Sequence, residues 1–108
     1  MFQFNERRRH VRRVGEGLIV LIDGRGYSIV DISIAGLSFQ TSGHRVGERV
    51  ALKIARLTDL NDGVEGRITV VDSSDAVTRG QFLPTARLMH YIVGHIAEAT
   101  GVSPAYFK

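Results

Sequence analysis

Apolar and polar residues alternate along most of this chain, and glycine or aspartate breaks the alternation every few positions. The densest apolar run is Leu18-Ile19-Val20-Leu21-Ile22. Its β-branched content marks a buried strand. Asp23-Gly24-Arg25-Gly26 reads as a turn, and Tyr27 to Ile32 as a second strand. Four turn residues cannot make a crossover, so the two strands must pair antiparallel.

Ser33-Ile34-Ala35-Gly36 interrupts the pattern, and Leu37-Ser38-Phe39 resumes it as a short strand. A loop at Thr41-Ser42-Gly43-His44 comes next. From Glu48 onward, Val50, Leu52 and Ile54 face one way and Arg49 and Lys53 the other. Asn61-Asp62-Gly63 is expected to turn the chain. Val64, Gly66, Ile68 and Val70 then share one strand face, with Glu65, Arg67 and Thr69 opposite. Asp72-Ser73-Ser74-Asp75 reads as a hairpin turn, and Ala76 to Phe82 as the last strand.

The period then changes. Leu88, Ile92 and Ile96 recur every fourth residue, flanked by Tyr91 and His95, which predicts a helix over 84–99. Pro84 suits its first turn. Gly94 interrupts it, and Gly101 and Pro104 close it. The fold class expected is all-β with one C-terminal helix: a small six-stranded antiparallel β-barrel with the helix over an open end or side. The helical stripe is equally compatible with contact to a second subunit.

At 108 residues the chain is one domain. With no cysteine it has neither disulfides nor thiolate metal sites, which fits a reducing compartment and a cytoplasmic location. No apolar run reaches the roughly 18 residues of a membrane span. The basic start has no apolar segment behind it, unlike a signal peptide.

Charge alters the picture most. Arg7, Arg8, Arg9, Arg12 and Arg13 stand together, opposed there by Glu6 alone, a local charge of about +4 within a chain of net +3. Residues 1–13 are therefore expected to form a flexible arginine-rich arm, and residues 14–108 the barrel with its helix. Arginine forks suit phosphate, and a guanidinium also stacks on a base. Such a cluster repels itself unless an anion meets it. A solvated basic tail is the plainer reading of the same residues.

Asp31-Ile32-Ser33-Ile34-Ala35-Gly36 is the second chemical element. The acid and hydroxyl, two apart, emerge from the same side of the strand. Asp31 can accept from a guanine N1–H and N2–H edge or from a guanidinium, and Ser33 can donate to a phosphate or hold the turn. Gly36 suits positive φ or close approach of a ligand. A turn whose polar groups serve only the backbone is the competing reading.

In these two elements the chain resembles the PilZ family of cyclic di-GMP receptors. That family carries R-x-x-x-R on an N-terminal arm and D/N-x-S-x-x-G at the end of an early barrel strand. Here the first motif falls in Glu6-Arg7-Arg8-Arg9-His10-Val11-Arg12-Arg13. The second is matched completely by Asp31, Ser33 and Gly36. Gly80-Gln81-Phe82 resembles the family's last barrel strand. The resemblance implies a PilZ-like split barrel without catalytic activity, a bacterial second-messenger receptor whose arm orders on ligand binding and signals to a further protein. By that resemblance Arg8 and Arg12 grip phosphates and stack on guanine, and Asp31 and Ser33 complete the pocket over a floor shaped by Gly36. Arg7, Arg9 or Arg13 would contact the extra guanines of an intercalated ligand dimer. Arg9 and Arg13 have the same spacing as Arg8 and Arg12, so both registers stand open.

Other functions have less behind them. His10, His44, His90 and His95 lack metal-ligand spacing, and Asp59, Asp62 and Glu65 lack the order of a calcium loop. They read as a solvated acidic loop. A nucleic-acid-binding barrel should interleave aromatic and basic residues on open strand faces. Phe39, Phe82 and Tyr91 instead read as core, leaving Tyr27 as a lone stacking candidate. A PilZ-type adaptor without nucleotide remains the nearer alternative.

Overall fold

The structure, a computed structural model, describes residues 14–101. The arginine arm and Pro104 lie outside the described residues. Six strands, β1 (Leu18–Ile22), β2 (Arg25–Ile32), β3 (Gly36–Gln40), β4 (Arg49–Arg56), β5 (Asp59–Ser73) and β6 (Val77–Phe82), precede one helix, α1 (Ala86–Thr100). The strands close into an antiparallel barrel in the order β1-β2-β3-β6-β5-β4. Closure leaves no open sheet edge.

The β1–β2 hairpin is tighter than its sequence suggests. Asp23 and Gly24 alone form the turn, with φ of 52° and 79°, as a type I′ hairpin requires. Arg25 already pairs with Ile22. The β4–β5 connection also differs from expectation. The chain reverses at Leu57–Thr58, where Arg56 pairs with Asp59, and the ladder then skips to Ala55 opposite Gly63. Asn61, Asp62 and Gly63 thus belong to an irregular start of β5 and not to the hairpin turn. At the β5–β6 hairpin, Ser74 accepts from the Val77 N–H at 3.1 Å through its hydroxyl and holds the reversal.

The barrel interior obeys the period-two pattern. Val20, Phe39, Ile54 and Ile68 are fully buried, and so are Leu88 and Ile92 of α1. The helix therefore packs on its own barrel. Gly66 makes room for it: a Cβ there would lie 3.0 Å from Leu88 Cδ2, the close approach that a glycine within a strand permits.

The buried helix residues are Leu88, Ile92, His95, Ala97 and Ala99, while Ile96 is half-buried. Steps of four overshoot a full turn by about 40° each, so a strict i+4 stripe drifts off the interface and alternating steps of four and three stay on it. Helix α1 starts later than Pro84. Thr85 caps it, its hydroxyl accepting from the Leu88 N–H at 3.2 Å. Gly101 ends it at φ 75°, donating to the Ala97 carbonyl at 2.8 Å.

Candidate functional site

Asp31, Ser33 and Gly36 lie together on one side of the barrel, and irregular strand pairing puts them there. Ile29 pairs with Phe39, but Asp31 pairs with Ser38, so Val30 is an extra residue in β2. This bulge reverses the inside–outside parity of the residues after it. Asp31 consequently faces solvent while Ile32 is buried. A matching bulge in β5 lies between Val70, opposite Gly80, and Asp72, opposite Arg79. It leaves Val71 exposed on the same outer surface.

Between β2 and β3 the turn is closed by its own polar groups. The Ser33 N–H donates to the Gly36 carbonyl at 2.8 Å. The Ser33 hydroxyl accepts from the Ala35 N–H at 3.2 Å. Of the two roles open to Ser33, the structure shows the turn-holding one. The Ala35 carbonyl accepts from Phe82 N–H at 2.9 Å, fastening the turn to the end of β6.

Gly36 is needed for a different reason than expected. It is absent from the positive-φ positions. A Cβ on it would instead fall 2.1 Å from the Gly80 carbonyl oxygen. The close approach is that of the β6 backbone.

These residues rim a cleft of about 270 Å³ that is also lined by Val71, Arg79 and Gln81. Arg79 and Gln81 escaped the motif-based reading. Their signal was nonetheless present in β6, where Arg79 and Gln81 alternate with inward-facing Thr78, Gly80 and Phe82. Asp31 and Arg79 are the charged groups lining the cleft. The Arg79 guanidinium lies 3.9 Å from the Asp72 carboxylate, both well exposed.

The sequence-predicted arginines Arg7, Arg8, Arg9, Arg12 and Arg13 lie outside the described residues. The chain just after them is fixed. A Cβ on Gly15 would lie 3.2 Å from Ile29 and 3.6 Å from Ile32, the two residues that bracket Val30 and Asp31. Gly15 also donates its N–H to His95 Nε2 at 2.9 Å. His95 is thus a packed histidine, 4% exposed.

Several other charged groups have structural partners. Arg56 meets Asp62 at 2.9 Å and Glu98 at 3.2 Å, and the Tyr91 hydroxyl donates to the Asp62 carbonyl at 3.0 Å. Asp62 is therefore part of a clasp between β5 and α1, where a solvated loop was expected. Glu98 raises the Arg56 pKa further. Burial, reinforced by Asp62, pushes the Tyr91 phenol up. His44 and the Arg45 N–H contact Glu48 at 3.2 and 2.9 Å.

A larger groove of about 840 Å³ runs along β4 and β5 to Pro84, lined by Lys53, Glu65 and Arg67 among others, and contains neither motif. Tyr27 is half-buried, edge-on to Phe39 with ring centroids 6.4 Å apart, so it is not a free stacking platform. Among the described residues no group of three His, Cys, Asp or Glu is placed to hold a metal, and no helix is long and apolar enough to cross a membrane.

No protein-family model matches the chain, and no curated protein matches it. Among solved structures, it is similar to the crystal structure of an uncharacterized Legionella protein, with a TM-score of 0.56 and 16% identity over 76% of this chain and 83% of that one. At that identity the likeness is one of architecture. The chain is a small six-stranded antiparallel barrel with one C-terminal helix, a PilZ-like topology.

Proposed function

We propose that the chain is a PilZ-type receptor for cyclic di-GMP and has no chemistry of its own. The observation that carries this reading is a convergence at one end of β2. Asp31, Ser33 and Gly36 gather at one cleft, and the residue two places after Arg13 packs against Ile29 and Ile32. An extended chain reaches about 3.3–3.6 Å per residue. Arg12 and Arg13 precede Gly15 by three and two residues in sequence, so a ligand held at the barrel can draw them toward it. A carboxylate accepts the N1–H and N2–H donors of guanine, and arginine forks take its phosphates.

Ligand binding neutralises the arm and orders it over the barrel, in the manner of an order–disorder switch. The rearranged arm then offers a partner protein a new surface. Affinity falls as salt rises, as it does for solvent-exposed ion pairing in general. An intercalated ligand dimer would use the remaining arginines.

Calorimetric titration tests the reading. The wild-type chain should bind cyclic di-GMP, and Asp31→Ala, Arg8→Ala and Arg12→Ala should each lose at least about tenfold in affinity while melting at the wild-type temperature. Undiminished binding by Arg8→Ala and Arg12→Ala, with loss in Arg9→Ala and Arg13→Ala, would move the register by one. Undiminished binding by Asp31→Ala removes the cleft from the ligand site.

A further inference from the structure

Arg79 and Gln81 belong to neither sequence motif, yet both line the cleft. Asp31 pairs with Ser38, and Ser38 pairs with Arg79. The three therefore form one cross-strand row on the outer face. The ends of the row are two strand spacings apart, about 10 Å between backbones. Its centre is a serine, small and 6% exposed. Ser38 is thus covered, and the row carries opposite charges at its two exposed ends, both of which line the cleft.

The partner that Arg79 has in the structure is weak. Its contact with Asp72 is 3.9 Å long, and the side chains are 62% and 69% exposed. A pair so wet and so long contributes little. The guanidinium can exchange it for a better acceptor at small cost.

A flat heterocycle held in the cleft between Asp31 and Arg79 would show one edge to a carboxylate and another to a guanidinium. Guanine has the matching pattern. Its N1–H and N2–H donate, and its O6 and N7 accept a bidentate arginine. Adenine places its N1 acceptor toward the carboxylate, which is repulsive, and its N6 amino donor where O6 was, which leaves N7 as the single acceptor for the guanidinium.

We infer that Arg79 is a specificity-determining residue of this cleft, reading O6 and N7 of the guanine whose opposite donors Asp31 accepts. This inference rests on the cyclic di-GMP reading above. It adds a strand-borne arginine, held by the barrel whatever the arm does.

The test is a titration of the wild-type chain and Arg79→Met with cyclic di-GMP and with its 7-deazaguanine analogue, in which each N7 is a C–H. Methionine keeps the length and removes the charge, and the site is exposed, so the melting temperature should stay unchanged. Arg79→Met should bind cyclic di-GMP about tenfold or more weakly. The penalty for losing N7 should be clearly smaller in Arg79→Met than in the wild type. Equal affinity of the two proteins for cyclic di-GMP, or equal N7 penalties in both, overturns the inference and leaves the receptor reading intact. A wild-type chain that binds no cyclic di-GMP overturns both.

Discussion

Gly15 donates its backbone N–H to Nε2 of His95, eighty residues later, at 2.9 Å. One bond ties the segment before β1 to the buried face of α1. It requires that Nε2 carry a lone pair, so the ring is in a tautomer or state unprotonated at that nitrogen. Gly15 itself lies against Ile29 and Ile32.

His95→Ala leaves the Gly15 N–H without its acceptor and opens a void under the helix. A buried donor left unsatisfied costs about 1–3 kcal/mol. Urea unfolding should show that loss as a lower midpoint with an unchanged slope. An unaltered midpoint would mean that the bond contributes nothing to the fold.

Glycines in the barrel are not equivalent. A Cβ on Gly36 strikes the Gly80 carbonyl at 2.1 Å, whereas one on Gly66 meets the methyl of Leu88 at 3.0 Å. Backbone cannot step aside, but a leucine terminus can shift. Gly36→Ala should cost about 3 kcal/mol or more and Gly66→Ala distinctly less. Paired thermal melts of the two variants check the order.

Glu48 should leave a mark on the pH profile. The Arg45 N–H and then the His44 side chain hold its carboxyl below the ordinary glutamate value. A depressed folded-state pKa gives stability that is full above the unfolded-state value and is lost as pH falls through the folded one. Glu48→Gln should therefore be less stable than wild type at about pH 7, and the difference should shrink at about pH 3. Urea midpoints at the two pH values read it directly.

The clasp of Arg56 with Asp62 and Glu98 joins strand to helix, but its side chains are one-third to one-half exposed. Such pairs are screened by solvent. Arg56→Met should cost no more than about 1 kcal/mol, and high salt should reduce the difference between variant and wild type. A much larger loss would show that the clasp anchors the helix.

Much of the barrel was legible because period two survives in Val50, Leu52 and Ile54 and in the continuous run at Leu18–Ile22. The irregularities were not. Nothing local marks Val30 or Val71 as the extra residue of a bulge, since a bulge is defined by the partner strand. Asn61-Asp62-Gly63 imitates a turn signal, yet the ladder across β4 closes the hairpin at Leu57–Thr58. His95 took the buried helical position expected for Ile96, because three-and-four spacing, unlike four alone, keeps to one face. At the site, Asp31, Ser33 and Gly36 were visible as a motif. Arg79 and Gln81 were not, since only the pairing of β3 with β6 brings them beside it.

The decisive measurement is a titration of the labelled chain with cyclic di-GMP, monitored by backbone amide NMR shifts. Saturable shifts are expected in two separate stretches, Arg7–Arg13 and Asp31–Gly36, with the larger groove near Lys53 and Glu65 unmoved. Saturating ligand that leaves both stretches where they were would refute the receptor reading.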